Sequence, residues 1–287
     1  MTKHITWDSQ IGDRLNQLRI IYSDNHNSLM PKITMSLRKY GFALLSGIGS
    51  NGNQKTATNQ LLSLCDKLGA VLPQSPRSEK IEDIRDFSDI DDNDERGYRS
   101  KGELTPHSDP PTLIVLHCLQ AAKSGGETYL VNVRKIHDAV ANDDPELLNI
   151  LYQGFPHWNV EGQPRGPGPA PDLRPIFMAE NGVVSCVHYR PFVEKAAQKL
   201  GQPLSPKQIA ALDIFDRYAN AAEFVLRFYL EPGQSIVLHN RTVLHARTDY
   251  VDWPDPDKRR HLLRCWIDAP ELLPVSPEHE LGNIFDG

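Results

Sequence analysis

A chain of 287 residues, 39% hydrophobic and with a formal charge of −6, has material for one large domain or two modest ones. The acidic balance argues against a general nucleic-acid binder, whose footprint would be basic, and no run approaches the roughly 18 consecutive apolar residues of a membrane span. The first residues lack the layout of a secretory signal, and Cys65, Cys118, Cys186 and Cys265 are scattered without a CxxC, so the expectation is buried, reduced thiols in a cytoplasmic protein.

Taken in order, the pattern predicts a short helix around Ser9–Ile20, then a helix from Pro31 to Tyr40 stopped by Gly41. Phe42–Leu45 reads as a strand, Asn51–Asn53 as a turn, and Thr56–Leu68 as an amphipathic helix capped by Gly69. Ile81–Phe87 reads as a strand, followed by a charged loop, Ser88–Arg99. Thr112–Leu119 is apolar and rich in β-branched residues, the mark of a buried strand. The turn Gly125-Gly126 then leads into a strand, Glu127–Val133, at hairpin spacing.

Lys135–Ala141 and Pro145–Tyr152 read as short helices. Gln163–Pro175, rich in proline and glycine, reads as an irregular lid or binding loop. Val183–Val187 is a predicted strand, Phe192–Leu200 and Lys207–Ala222 are predicted helices, and Glu223–Glu231, Ser235–Asn240, Thr242–Arg247 and His261–Ile267 are predicted strands. No internal repeat or domain boundary stands out. The expectation is one α+β domain over residues 1–287, mainly β at its core, with a helical insertion and lid near 133–222.

The chemistry concentrates at Leu104-Thr105-Pro106-His107-Ser108-Asp109-Pro110-Pro111. In extended chain, side chains at i and i+2 share a face, so His107 and Asp109 converge, and the prolines restrict the backbone around them. An imidazole and a carboxylate suit a divalent first-row metal but need a third ligand. His245 offers one, with His239 as the rival. Two histidines and one carboxylate leave coordination positions open, the arrangement of non-haem Fe(II) oxygenases. A 2-oxo acid held there would need a planar, bidentate cation for its far carboxylate. Arg259 and Arg260 are both candidates; strand alternation puts Arg260, Leu262 and Arg264 on one face and favours Arg260. His188-Tyr189-Arg190, between a strand and a helix, is placed to line the mouth, with Arg190 as a candidate substrate contact. His4, His26, His137, His157 and His279 carry no functional reading.

His107-Ser108-Asp109, Gly125-Gly126-Glu127-Thr128, Asn240-Arg241 with His245, and Arg260 with Arg264, in that order, resemble the taurine dioxygenase and 2,4-dichlorophenoxyacetate dioxygenase family of Fe(II)/2-oxoglutarate-dependent enzymes. The resemblance implies a distorted double-stranded β-helix, or jelly-roll, with helical insertions. It implies His107, Asp109 and His245 as iron ligands, Thr128 and Arg260 on the far end of 2-oxoglutarate, and Arg264 on an acidic substrate group. It also implies O2 as co-substrate, succinate and CO2 as products, and hydroxylation of an unactivated C–H bond in a small anionic or amino-acid-like molecule. Because Asp109 is present, hydroxylation is favoured over halogenation; desaturation, cyclisation and oxidative cleavage share its first step. A homodimer or tetramer would be ordinary for the family. A zinc hydrolase or a non-catalytic metal-binding barrel would use the same three ligands without needing Arg260.

Overall fold

The structure is a computed structural model and describes residues 7–49, 52–74, 80–88, 99–157, 172–272 and 279. Two sheets dominate. The larger contains β1 (Ile20–Ile21), β2 (Phe42–Ser46), β3 (Ala70–Leu72), β4 (Glu82–Ile84), β6 (Leu113–Gln120), β9 (Gln234–His239) and β11 (His261–Asp268). Their order is β1-β2-β9-β6-β11-β3, with β4 also on β11, and every pairing except β1–β2 is antiparallel. The smaller sheet has order β8-β7-β10-β5, from β5 (Leu104–His107), β7 (Thr128–Asn132), β8 (Val225–Phe228) and β10 (Val243–Arg247), all antiparallel. This double sheet with helical insertions is the expected jelly-roll type of α+β fold.

Strand alternation decides what each face buries. On β6, Ile114 and Cys118 join Leu130, Leu238, Leu262 and Trp266 in a core between the sheets. Leu113 and Val115 face the other way, onto helices α1 (His26–Tyr40) and α2 (Gln54–Leu68). The outer face of the smaller sheet, through Val131 and Leu244, packs on α3 (Val133–Asp143), α4 (Pro145–Leu151), α5 (Arg190–Lys199) and α6 (Pro206–Ala219). Local chemistry sets the helix ends: Asn132 and Asp144 accept N-terminal amides of α3 and α4, and Ser205 forms a capping box with Gln208 on α6. Gly41 closes α1 in the left-handed conformation, its N–H on Leu37.

Several expectations are corrected. Residues 9–18 form successive turns instead of a helix, and α1 begins at His26, with Pro31 inside it. The Ile81–Phe87 strand shortens to Glu82–Ile84. The strand pair expected around Gly125-Gly126 is no hairpin, because β6 and β7 lie in different sheets. Both glycines have positive φ (72° and 71°), and a Cβ on Gly125 would fall 2.4 Å from the Asp249 carbonyl, so the turn carries the chain from one sheet to the other. Within the expected irregular loop, Asp172–Pro175 is a strand paired with Gly154–His157; its residues 163–171, most of the charged loop Ser88–Arg99, and residue 51 of the Asn51–Asn53 turn lie outside the described residues. No helix among the described residues is long and apolar enough to cross a membrane, and the four cysteines are buried free thiols.

Gly69 is required by close approach: an added Cβ would lie 2.3 Å from the Asp268 carbonyl oxygen. Gly69→Ala should therefore cost about 2 kcal/mol and lower Tm by several degrees; an unchanged Tm would contradict this. Burial also holds two histidines neutral, His117 down to about 4 and His279 down to about 3. Between those values and the unfolded value of about 6.5, the unfolded chain binds more protons, so stability rises with pH and falls on acidification. Each group contributes up to about 1.4 kcal/mol per pH unit in that window. Urea midpoints should fall from pH 7 to pH 5, and a flat profile would be inconsistent with two buried neutral imidazoles.

Candidate metal centre and adjoining anion cavity

His107 and His245 sit directly opposite each other in the β5–β10 pairing. Cross-strand partners are the nearest neighbours a sheet offers, and the two ring centroids are 4.3 Å apart. Asp109 follows just past the end of β5. Its Oδ1 lies 3.9 Å from His107 Nε2 and its Oδ2 3.9 Å from His245 Nε2. These separations are too long for hydrogen bonds, yet one ligand atom from each residue lies within 4.8 Å of the others. Three donors thus face one point without satisfying one another, as an ion shared by all three requires.

The protonation states agree. His107 Nδ1 donates to the Thr105 carbonyl at 2.8 Å, which leaves Nε2 with its lone pair toward Asp109. Burial pushes His107 below its ordinary value and His245 down to about 3, so both imidazoles are neutral. Burial pushes the Asp109 carboxyl up, but the Arg264 guanidinium and the Trp266 N–H hold it below its usual value, so it is ionised. Arg264 Nη1 and Trp266 Nε1 donate to Asp109 Oδ2 at 3.1 and 3.2 Å, and Gln74 fixes Arg264 through Nε at 2.8 Å.

The backbone of the ligand loop is also tied down. Ser108 N–H donates to the His188 carbonyl and the His188 N–H to Ser108 Oγ, while the His188 ring reaches Asp216 on α6. Asn240 accepts from the Asp109 N–H and donates to the Asp109 and Pro111 carbonyls. The Tyr189 ring packs 5.3 Å from the His107 ring, on the wall of the centre.

Thr128 pairs with Arg247 and Leu130 with His245, so alternation places Thr128 on the same sheet face as the metal ligand. Thr128, Gly126, Cys118, Leu262 and Arg260 line a cavity of about 360 Å³, within the roughly 300–1,000 Å³ of small-molecule sites. Arg260 is buried, its guanidinium lies 5.1 Å over the Tyr250 ring, and its Nη1 has no hydrogen-bond partner among the described residues. A buried, unsatisfied cationic donor beside a cavity is a seat for an anion. Both groups therefore fit their implied guests: the triad a divalent metal, and the Thr128–Arg260 cavity a carboxylate.

Other candidates fall elsewhere. His239 is fully buried and hydrogen-bonded to Thr242, outside the ligand group. Arg259 is less buried than Arg260. Arg190 is engaged by Glu194, Asp213 and Asp216. Sequence reasoning missed Gln74, Trp266 and Arg247. Trp266 and Arg247 carried a usable signal, each lying two residues from a site residue on a strand, hence on its face. Burial, with Arg260 nearby, lowers Arg247 to about 10, and it lies 4.7 Å over the same Tyr250 ring. Gln74 had no such signal, because its tie to Arg264 spans 190 residues.

Comparison with known proteins agrees with this geometry. FR-33289 synthase of Streptomyces rubellomurinus is 35% identical over 178 residues, 61% of this chain and 52% of that protein. Gamma-butyrobetaine dioxygenase of a Pseudomonas species is 28% identical over 58% of this chain and 44% of its own. The chain spans about half the length of such curated relatives. An asparagine oxygenase solved with Fe(II), 3-hydroxyasparagine and succinate shares the fold at a TM-score of 0.64 and 16% identity, covering 88% of this chain and 94% of its own. The non-heme iron oxygenase OrfP, solved with Fe and alpha-ketoglutaric acid, shares it at 0.64 and 12%, covering 91% and 82%. The sequence model of the taurine catabolism dioxygenase TauD, TfdA family matches residues 8–266, and the chain belongs to that family.

Proposed function

We propose that this chain is an Fe(II)- and 2-oxoglutarate-dependent oxygenase that hydroxylates an unactivated C–H bond of a small amino-acid-like or otherwise anionic molecule, with release of succinate and CO2. The observation that carries the reading is the group of buried His245 with half-buried His107 and Asp109, two neutral imidazoles and a carboxylate converging on one point. When bound, iron, 2-oxoglutarate and O2 supply the oxidising chemistry.

The residues have separable tasks. His107, Asp109 and His245 hold the metal and leave room for the co-substrates. Thr128 and Arg260 hold the far carboxylate of 2-oxoglutarate, which supplies the missing acceptor for Arg260 Nη1. Arg264 and Trp266 keep Asp109 ionised and oriented. Tyr189 forms part of the wall that aims the substrate and excludes water. Arg264 lies beside the centre, where an anionic substrate group could share it with Asp109. A contact from Arg190 would have to compete with its three carboxylate partners.

The amino-acid-like substrate class draws support from fold neighbours solved with 3-hydroxyasparagine and with (3S)-hydroxy-L-Arg. Desaturation, cyclisation or cleavage would use the same residues. We read residues 1–287 as one domain, and the buried free thiols fit the reducing cytoplasm. Neither nucleic acid nor membrane is expected as a partner, and a homo-oligomer would be ordinary.

The test is succinate release from 2-oxoglutarate under air, screened over amino acids and small organic acids. Asp109→Ala should abolish it; a wild-type rate would overturn the ligand assignment. Arg260→Ala should raise the KM for 2-oxoglutarate at least tenfold, the scale of about 1.5–3 kcal/mol for hydrogen bonds to a charged partner. An unchanged KM would remove Arg260 from the co-substrate site.

A further inference from the structure

His279 belongs to no motif and lies beyond the residues that the family model matches. It is nevertheless fully buried. Its ring is held at both nitrogens, Nε2 at 3.0 Å from the Pro175 carbonyl and Nδ1 at 2.8 Å from Ser185 Oγ. A carbonyl only accepts, so Nε2 carries the hydrogen and Nδ1 accepts from the serine hydroxyl. Pro175 and Ser185 belong to two short strand pairs beside the helical insertion.

The main chain of the same residue makes a different contact. Its carbonyl accepts from Arg241 Nε at 2.8 Å. Arg241, 1% exposed, turns its other nitrogens on the metal-ligand loop, with Nη1 on the Asp109 carbonyl at 2.8 Å and Nη2 on the Pro110 carbonyl. A guanidinium is a rigid planar fork, so anchoring Nε sets the plane in which Nη1 and Nη2 reach. One unbroken path of hydrogen bonds thus runs from Ser185 and Pro175 through His279 and Arg241 to the backbone of Asp109.

We propose that His279 is a positioning residue for the metal centre, its imidazole docking on Pro175 and Ser185 so that its carbonyl orients Arg241 and, through it, Asp109. The inference rests on the metal-site reading above. It requires that loss of the imidazole disturb the carboxylate ligand, which is more than a loss of packing.

The probe is Co(II), titrated into the purified 287-residue chain without 2-oxoglutarate and followed by visible absorption, which reports ligand geometry without turnover. His279→Ala should weaken Co(II) binding about tenfold, the lower end for residues that orient metal ligands, and change the band shape. His279→Gln keeps one donor for Pro175 and one acceptor for Ser185, and should restore most of both. Leu61→Ala, in the core between α2 and the larger sheet, should lower Tm while leaving affinity and spectrum as in wild type. If His279→Ala fails to fold, Ser185→Ala, which removes only the hydroxyl partner, should weaken binding several-fold with the same change in band shape. Wild-type affinity and spectrum in His279→Ala, or in Ser185→Ala where that variant stands in, would overturn the proposal. So would changes in Leu61→Ala equal to those in His279→Ala. Failure of wild type to bind Co(II) would instead overturn the metal-site reading.

Discussion

One cross-strand pair sets the geometry of the whole centre: His107 on β5 faces His245 on β10 in antiparallel register. Side chains alternate along a strand, so a one-residue slip would turn one ring to the opposite face and disperse the ligands. The register is held by packing on both sides of the sheet, with Leu130 in the inter-sheet core and Val131 and Leu244 against the helical insertion. Thr128 falls on the same face two residues from Leu130, so the anion cavity inherits its position from the same alignment. The positions of the candidate metal site and of the anion cavity therefore follow from one alignment.

The sheet places the histidines, but Asp109 lies beyond its edge and needs other restraints. Its carboxylate is held by Arg264 and Trp266 from β11, in the opposite sheet. Its backbone is held by Asn240 and Arg241, from the turn between β9 and β10 that links the two sheets. The flanking Ser108 is bonded to His188 at the entrance to α5. Each layer of the fold thus sends one element to the same loop. A ligand loop restrained from several directions is what an exchangeable metal site needs, since its geometry must survive when the ion is absent.

What was legible in the chain follows from the range of each interaction. The ligand motif His107-Ser108-Asp109, the apolar run of β6 and the Arg260–Arg264 face could be read because two-residue alternation is a local property. Gly125-Gly126 was legible as a turn but not as a crossing between sheets, because hairpin spacing says nothing about which sheet receives the second strand. The strand Asp172–Pro175 was hidden by the proline-rich segment it ends, since it forms only through pairing with Gly154–His157. Gln74 and His279 could not be read at all. Their significance lies in partners far away in sequence, and an isolated glutamine or histidine carries no pattern.

The proposed oxygenase requires that a metal held by His107, Asp109 and His245 lie within reach of a 2-oxo acid seated on Thr128 and Arg260. The direct measurement is an anaerobic titration of Fe(II) into the protein with 2-oxoglutarate present, recorded as a visible spectrum. A metal-to-ligand charge-transfer band should appear with one equivalent of iron and be absent without 2-oxoglutarate. Tight binding of zinc with no such band on addition of iron would contradict it, leaving a metal site whose neighbouring cavity serves some other anion.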